Sequence, residues 1–324
     1  MSNDKPVILI PGRINPRVRE RVEAEFEAVS LETADTGLLD AATRDKVHGI
    51  ASMTTIDAGF IDSFPNLEII ANFGVGYDAV DARHAAGRGV MVTNTPDVLS
   101  DEVADTTVGL LLNTLREFPK AEAYLRAGRW AAEGGYPLTR LTLRGRTIGI
   151  FGLGRIGLAI ARRLEAFGLP IHYHTRNRRD DVGYTWHETL AGLARAVDTL
   201  IVVVPGGAAT ANAVNADILD ALGTDGVLIS VGRGSTIDEL ALIGALSEGR
   251  IAAAGLDVFA DEPNVPQALI DLPNACLLPH VASASVSTRN AMADLVVDNL
   301  GAWFAGRPAI TPVPECAHLD RKPG

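Results

Sequence analysis

The feature that most restricts the fold of this chain is a glycine pattern that directly follows a short apolar run. Residues Thr147–Phe151 predict a buried strand, and the sequence GLGRIG follows at residues 152–157. The next segment, Ile156–Phe167, has helical spacing of apolar residues and no proline. A strand, a glycine-rich turn and a helix in this order are typical of a βαβ unit that binds a dinucleotide.

Each residue of this turn has a separate predicted task. Gly152 permits the tight turn, Gly154 lets the backbone approach a pyrophosphate, and Gly157 allows close helix packing. Arg155 and Ile156 begin the helix, where unpaired backbone N–H groups attract phosphate. We therefore predict that these five residues bind the cofactor. The alternative is a glycine-rich turn without a ligand.

Short runs rich in valine and isoleucine alternate with amphipathic segments along the chain, which predicts an α/β fold with parallel, helix-covered sheets. The predicted helices besides the one above are Val103–Leu115, Ile237–Leu246 and Ala291–Phe304. The predicted strands are Val7–Ile10, Leu67–Asn72, Thr147–Phe151, Ile171–His174, Leu200–Val204, Val227–Val231 and Cys276–Leu278, with further strands near residues 50 and 90.

The position of the glycine pattern predicts two Rossmann-like domains. Four strands precede it, and the stretch Leu143–His280 has the length of a complete dinucleotide-binding domain. We predict a smaller, flavodoxin-like substrate-binding domain of residues 1–98 with 288–324. The cofactor domain, a doubly wound parallel sheet, is predicted to span residues 99–287.

Composition excludes several functions. A net charge of −11 provides no basic face for nucleic acid, and no apolar run approaches the ~20 residues that span a bilayer. Cys276 and Cys316 have neither metal-binding nor disulfide spacing, which fits a reducing cytoplasm. His172 and His174 share one side of a strand but lack further ligands nearby, so no metal is predicted. A small molecule is the expected partner.

The residues after the second strand of the cofactor domain predict which dinucleotide is bound. Thr175 stands where an NAD-preferring site has an acidic residue for the ribose hydroxyls. Arg176, Asn177, Arg178 and Arg179 follow, and guanidinium groups can bind a 2′-phosphate. With a hydroxyl donor from Thr175, this loop predicts NADP(H) in preference to NAD(H). The alternative is a solvated loop.

Three later segments predict the chemistry, because each places a reactive side chain at a strand end. Arg233 offers a planar fork for a carboxylate, and His280 can protonate a carbonyl oxygen as it is reduced. Glu262, hydrogen-bonded to His280, would favour the imidazolium and orient the ring. Each residue alone has an ordinary structural interpretation, but the order glycine pattern, Arg, Glu, His matches reduction of a 2-keto acid.

The motifs GLGRIG, SVGRG, GLDVFADEP and LLPHVAS resemble those of the D-isomer-specific 2-hydroxyacid dehydrogenases over nearly the whole chain. Within that family, DALGTDGVLISVGRG, DEPNVPQAL and HTRNRR are most similar to the glyoxylate/hydroxypyruvate and hydroxyphenylpyruvate reductase branch. The resemblance implies that Arg233 anchors substrate, that Glu262 and His280 relay the proton, and that Asp257 lies near the nicotinamide carboxamide.

The resemblance also implies the remaining contacts. Val75 and Gly76 are expected to present backbone N–H groups to the substrate carboxylate, and Met53 and Leu99 are expected to border the substrate pocket. Further cofactor contacts are expected at Val204, Pro205, Thr210, Val231, Gly232, Arg233, His280 and Ser283. Of these, Arg233, His280 and Ser283 are also expected to contact substrate. The sequence VPGGAAT at residues 204–210 departs from the proline-leucine-threonine loop of many relatives.

The predicted function is therefore NADPH-dependent reduction of glyoxylate, hydroxypyruvate and similar 2-keto acids to D-2-hydroxy acids. The resemblance implies a homodimer paired through the cofactor domains and a substrate domain that closes over the cofactor. Alternatives are a reductase of bulkier or aromatic acids, including hydroxyphenylpyruvate, phenylpyruvate and 2-ketogluconate, and a corepressor-like protein that senses nucleotides. Oxidation of phosphite or formate is a further alternative. Formate oxidation needs no proton donor, so the predicted His-Glu pair argues against formate.

Overall fold

The structure, a computed structural model, describes residues 5–319. The chain divides into two compact units, with breaks after Leu99 and after Ala284. The first unit contains the residues up to Leu99 and those from Ser285 onward, and the second is Ser100–Ala284. The division predicted from the sequence has its breaks after residues 98 and 287, so it counts Leu99 and residues 285–287 with the cofactor domain.

A five-stranded parallel sheet forms the centre of the first unit. Its strands are β1 (Val7–Pro11), β2 (Glu27–Leu31), β3 (Val47–Ser52), β4 (Ile69–Asn72) and β5 (Met91–Thr93). The first helices are α1 (Pro16–Glu25), α2 (Ala41–Arg44), α3 (Ala58–Asp62) and α4 (Ala82–Gly87). The strand order β2-β1-β3-β4-β5 is the flavodoxin-like order, which confirms the predicted fold class for this unit.

A seven-stranded parallel sheet forms the centre of the second unit, in the order β12-β11-β10-β9-β6-β7-β8. Its strands are β6 (Ile148–Phe151), β7 (Ile171–His174), β8 (Thr185–Trp186), β9 (Thr199–Val202), β10 (Val227–Ser230), β11 (Ala253–Leu256) and β12 (Ala275–Leu277). Its helices are α5 (Ser100–Arg116), α6 (Phe118–Arg126), α7 (Arg129–Glu133), α8 (Arg155–Glu165), α9 (Leu190–Ala196), α10 (Ala216–Leu222), α11 (Glu239–Ser247) and α12 (Gln267–Ile270). The strand order reverses between β6 and β9, and doubly wound sheets bind ligands at the carboxyl ends of the strands around such a point.

The chain returns to the first unit through α13 (Val286–Phe304), a helix of 19 residues. Gly49 of β3 lets this helix approach, because a Cβ there would lie 3.3 Å from the Phe304 ring. The guanidinium of Arg17 in α1 donates two hydrogen bonds, of 2.7 and 3.0 Å, to the carboxylate of Asp294 in α13. In residues 5–319, neither α13 nor any other helix is long and apolar enough to cross a membrane.

The core of the second unit holds the carboxyl edge of its sheet in place. All four residues of β6 are buried, as expected of a parallel strand covered by helices on both faces. Gly149 lets α9 approach this strand, since a Cβ there would lie 2.8 Å from Val197 Cγ2. Ile150 is fully buried, and its replacement by alanine would cost about 2–5 kcal/mol of unfolding free energy.

Candidate active site

Close contacts require glycine at two positions of the turn after β6. Gly152 has φ +103°, and a Cβ there would lie 2.8 Å from Val204 Cγ1. A Cβ at Gly157 would lie 2.1 Å from the carbonyl oxygen of Gly152, so only glycine lets α8 begin so close to the turn. Gly154 differs, because a Cβ there would meet nothing within 4 Å. The space above Gly154 is therefore open.

The N-terminus of α8 is suited to an anion. Gly154 is its N-cap residue and supplies no side-chain acceptor, and the first turn carries no acidic residue. The helix dipole and the first N–H groups favour a phosphate at such an end. Arg155 is exposed and Ile156 is half-buried at this start of the helix. This chemistry fits the pyrophosphate of a dinucleotide.

The loop after β7 contains arginines of two kinds. Arg176 and Arg178 are exposed and, within residues 5–319, make no hydrogen bond or ion pair. Arg179 is instead paired with Asp181 through two bonds of 2.9 and 2.5 Å. The Thr175 hydroxyl donates to the carbonyl of Asn177 at 2.6 Å, which closes the turn. Two guanidinium groups are thus available to a phosphate at this loop.

The loop at residues 204–210, after β9, is closed by a hydrogen bond from one of its own side chains. The hydroxyl of Thr210 donates to the carbonyl of Pro205 at 2.6 Å. Val204 is buried, and Gly207 adopts φ +117° to complete the turn. The predicted cofactor residues of this segment therefore belong to one compact loop at the carboxyl edge of the sheet.

Arg233 follows β10 in a segment that tolerates no side chain on either flank. A Cβ at Gly232 would lie 2.7 Å from the Val204 carbonyl oxygen, and one at Gly234 would lie 1.9 Å from the Phe259 carbonyl carbon. One guanidinium nitrogen of Arg233 donates to the Gly232 carbonyl at 2.9 Å. The arginine is half-buried, which strengthens its interaction with an anion compared with a fully solvated one.

Asp257 joins the strand ends that carry the glutamate and the histidine. Its side chain is fully buried, and its two oxygens accept the N–H groups of Val281 at 2.7 Å and Ala282 at 2.8 Å. Burial raises the pKa of this carboxyl, and the two N–H donors oppose that rise. The carbonyl of Asp257 also accepts the N–H of His280 at 2.9 Å. Asp257 therefore fixes the backbone around the histidine.

Glu262 and His280 form the predicted pair. Glu262 Oε2 lies 2.7 Å from His280 Nδ1, and Glu262 Oε1 accepts the N–H of Phe259 at 3.0 Å. His280 has φ +52°, a left-handed conformation that costs a residue with a Cβ about 1–2 kcal/mol. Because Nδ1 is engaged by the carboxylate, Nε2 remains for a reacting group. Both side chains are partly exposed, at 45% for His280 and 34% for Glu262.

The other predicted residues have the following environments. Ser283 is buried three residues after the histidine, and Val231 is buried before Arg233. Met53 is half-exposed and Leu99 is buried, and both belong to the first unit. Val75 and Gly76 also lie in the first unit, in the loop after β4.

Sequence reasoning missed the two asparagines that shape this loop after β4. Asn72 donates to the carbonyls of Gly74 at 3.2 Å and Gly76 at 3.1 Å, and Asn94 donates to the carbonyl of Val75 at 2.8 Å. For Asn72, a polar residue that ends a buried strand just before two glycines is the signal that was available. With the carbonyls held by side chains, the loop is fixed without regular structure.

The histidines of β7 have partners other than a metal. His172 Nδ1 lies 2.9 Å from His187 Nε2, and His174 Nδ1 lies 2.9 Å from the carbonyl of His187. Burial first, and then the neighbouring His187, lowers the pKa of His172. In residues 5–319, no three His, Cys, Asp or Glu side chains are grouped as metal ligands.

A histidine paired with a glutamate at the same sheet edge as a glycine turn of the GxGxxG kind is an arrangement typical of dinucleotide-dependent oxidoreductases. Comparison with known proteins gives the family. The profile of the NAD-binding domain of D-isomer-specific 2-hydroxyacid dehydrogenases matches residues 108–282. The chain belongs to this enzyme family, as the four motifs predict.

Several members of the family are similar to the chain over most of its length. A crystal structure of an NADPH-dependent glyoxylate/hydroxypyruvate reductase from Sinorhizobium meliloti, with NADP and malonate, is 63% identical, with a TM-score of 0.96 and coverage of 99% of this chain and 100% of that one. Glyoxylate/hydroxypyruvate reductase A of Arabidopsis thaliana is 49% identical over 257 residues, 79% of this chain and 82% of that protein. The 2-ketogluconate reductase of Gluconobacter oxydans is 41% identical over 314 residues, 96% of this chain and 99% of that protein.

Proposed function

We propose that this chain is an NADPH-dependent reductase that converts glyoxylate, hydroxypyruvate and similar small 2-keto acids to D-2-hydroxy acids. The observation that carries the proposal is the contact of 2.7 Å between Glu262 and His280 in the same unit as the glycine turn. The 63% identity with a reductase of that description supports the choice of substrate and coenzyme.

The cofactor is assigned to residues whose surroundings fit its charged groups. The open N-terminus of α8 at Gly154 would hold the pyrophosphate, and Arg176 and Arg178 would hold the 2′-phosphate. The carboxylate of Asp181 does not weaken this assignment, because Arg179 already neutralises it. The bound coenzyme supplies the hydride.

Residues of the chain bind the substrate and supply the proton. Arg233 binds the keto-acid carboxylate through its planar guanidinium, which a lysine could not replace with the same two-point geometry. His280 donates a proton from Nε2 to the carbonyl oxygen as the C–O double bond is reduced, and it takes the proton back in the reverse direction. Glu262 accepts the Nδ1–H of the same ring and orients the ring for transfer from Nε2. The backbone N–H of Phe259 donates to the other oxygen of the Glu262 carboxylate and so fixes its position.

A second candidate is a reductase of bulkier 2-keto acids. The similarity to a 2-ketogluconate reductase over 96% of this chain favours it. The half-exposed Met53, proposed to border the substrate, has an unbranched side chain that adapts to ligands of different size. The order of keto acids by kcat/KM separates the two candidates.

The remaining predictions belong to the same proposal. These are the substrate-binding role of the first unit, including Val75, Gly76 and Leu99, and the cytoplasmic location. The homodimer through the cofactor domains is also part of it, and light scattering on the purified protein would measure the mass. A mass near the 34.2 kDa of one chain would contradict the dimer.

The experiment that tests the function is a panel assay. Purified protein is mixed with NADPH or NADH and with glyoxylate, hydroxypyruvate, phenylpyruvate, hydroxyphenylpyruvate or 2-ketogluconate, and the loss of nicotinamide absorbance is followed. We expect the highest kcat/KM with NADPH and one of the two smallest acids. Tight NADPH binding with no turnover of any acid would overturn the proposal and favour a nucleotide-sensing protein.

A further inference from the structure

The arginines after β7 divide by what their side chains contact. Arg176 and Arg178 extend into solvent, whereas the guanidinium of Arg179 has three contacts. Two of them are the bonds to Asp181, and the third is a bond of 2.7 Å from Nη1 to the carbonyl oxygen of Leu153. Leu153 is the second residue of the glycine turn. Arg179 therefore connects the loop after β7 to the loop after β6.

The backbone of Arg179 is fixed as firmly as its side chain. Its N–H donates to the hydroxyl of Tyr173 at 2.9 Å, and that hydroxyl donates to the Arg179 carbonyl at 3.3 Å. Tyr173 lies in β7 and is fully buried, so its hydroxyl is a fixed point. At the other end of the loop, Trp186 Nε1 donates to the carbonyl of Thr175 at 3.2 Å. The segment between Thr175 and Arg179 is held at both ends.

We propose that Arg179, oriented by Asp181, is a positioning residue for NADPH: it sets the spacing between the glycine turn and the 2′-phosphate loop. One NADPH molecule must place its pyrophosphate at the turn and its 2′-phosphate at Arg176 and Arg178. A fixed spacing means that little of the binding free energy is spent on ordering the loop. The inference rests on the proposed function and deepens it.

The competing explanation is that Arg179 itself binds the 2′-phosphate. The two explanations predict opposite signs for Asp181→Asn. If Arg179 were a phosphate ligand, removing the nearby negative charge would release its guanidinium and tighten NADPH binding. If Arg179 is a positioning residue, losing the ionic partner loosens its bond to Leu153 and weakens NADPH binding.

The test compares Asp181→Asn with Asp180→Asn. Asp180 is an exposed acid one residue away, and within residues 5–319 it makes no hydrogen bond or ion pair, so the control makes the same charge change without breaking a contact. Dissociation constants for NADPH and NADH are measured by nicotinamide fluorescence, and the melting temperature of each variant without coenzyme verifies folding.

For Asp181→Asn we expect an NADPH dissociation constant about fivefold higher and an NADH dissociation constant changed by less than about twofold. Asp180→Asn should leave the NADPH constant unchanged or slightly lower, and kcat at saturating NADPH should stay at the wild-type value in both. Tighter or unchanged NADPH binding by Asp181→Asn would overturn the inference. An equal loss for both coenzymes would also overturn it, since the spacing to the 2′-phosphate loop concerns only NADPH.

A second variant tests the arginine directly, in case Arg179 keeps its bond to Leu153 when Asp181 is replaced. Arg179→Gln removes the bonds to Asp181 and Leu153 together, and it should raise the NADPH constant about tenfold. Weaker NADPH binding by Arg179→Gln together with tighter binding by Asp181→Asn would assign the arginine to the phosphate. Weaker binding by Arg179→Gln without any effect of Asp181→Asn would also contradict the positioning role, because that role requires the ionic partner. The proposed function fails separately, because it requires the wild-type protein itself to oxidise NADPH with a 2-keto acid.

Discussion

In each unit, the first strand along the chain leads through a turn into a helix, but the two helices start differently. After β1, the side chain of Asn15 accepts the N–H of Arg17 at 2.9 Å, and Pro16 at the first helical position has no N–H to satisfy. After β6, the helix starts at Gly154 with no capping side chain. The first helix satisfies its own N-terminus, whereas α8 leaves room for an anion.

Topology alone does not make a cofactor site. Both sheets are parallel, and both present strand carboxyl ends at one edge. In the first unit, the loop carbonyls after β4 are held by Asn72, whereas the ends of β10 and β11 in the second unit lead to Arg233 and Glu262. Function follows the side chains at the strand ends. The substitutions below test this contrast.

The largest effect is expected at His280. Replacing it with alanine removes the proposed proton donor, and general acid catalysis contributes about 10²–10⁴-fold in rate. We expect kcat to fall by that factor, while the NADPH dissociation constant stays within about twofold, because the glycine turn and the arginine loop are untouched. Stopped-flow and fluorescence titration would measure the two quantities. A variant that keeps its kcat would remove the histidine from the mechanism.

The next largest effect is expected at Gly157. Alanine there would place its Cβ 2.1 Å from the Gly152 carbonyl oxygen, so α8 or the turn must move. We expect the unfolding free energy to fall by about 3 kcal/mol, measured by urea denaturation. Gly87→Ala is the matched control, because it lies at the end of α4 and a Cβ there meets nothing within 4 Å. Equal stability of the two variants would contradict the close packing at the turn.

A smaller effect is expected when α8 is given the kind of cap that α1 has. Gly154→Asn supplies a side-chain acceptor for the first N–H groups of the helix and fills the open space above the turn. We expect NADPH binding to weaken about tenfold without loss of unfolding free energy, as the cap competes with the phosphate. Calorimetry with NADPH and urea denaturation would measure both. Unchanged affinity would show that the N-terminus of α8 does not hold the coenzyme.

The smallest effect is expected at the other helix start. Asn15→Ala removes the cap of α1 and should lower the unfolding free energy by about 1 kcal/mol. Because Asn15 lies outside the proposed site, kcat and the NADPH constant should keep their wild-type values. A loss of coenzyme affinity in a fully folded Asn15→Ala protein would break the contrast between the two units.

The sequence predicted the elements whose chemistry is local. Strand propensity, glycine geometry and proton chemistry depend on each residue and its near neighbours in the chain. They therefore sufficed to predict the glycine turn, the strands before and after it, and the order Arg233, Glu262, His280. Residues Ala253–Leu256 form β11 but were not predicted as a strand, because AAGL has weak strand propensity. Its small residues are required by packing, since a Cβ at Gly255 would lie 2.4 Å from Thr114 Oγ1 of α5.

Contacts between distant residues explain the other differences. The strand Glu27–Leu31 is half-exposed and carries no long apolar run, so only its pairing with β1 defines it. The separation of Arg179 from Arg176 and Arg178 was likewise invisible, because it depends on Leu153, 26 residues earlier in the chain. Predicted strand ends were shifted by one or two residues where the flanking residues leave the sheet.

The product formed from hydroxypyruvate tests the proposed reduction to a D-2-hydroxy acid. Purified protein is incubated with hydroxypyruvate and NADPH, the coenzyme consumed is measured by absorbance, and the glycerate is resolved by chiral chromatography. We expect one D-glycerate for each NADPH oxidised. Formation of L-glycerate, or consumption of NADPH without glycerate, would contradict it.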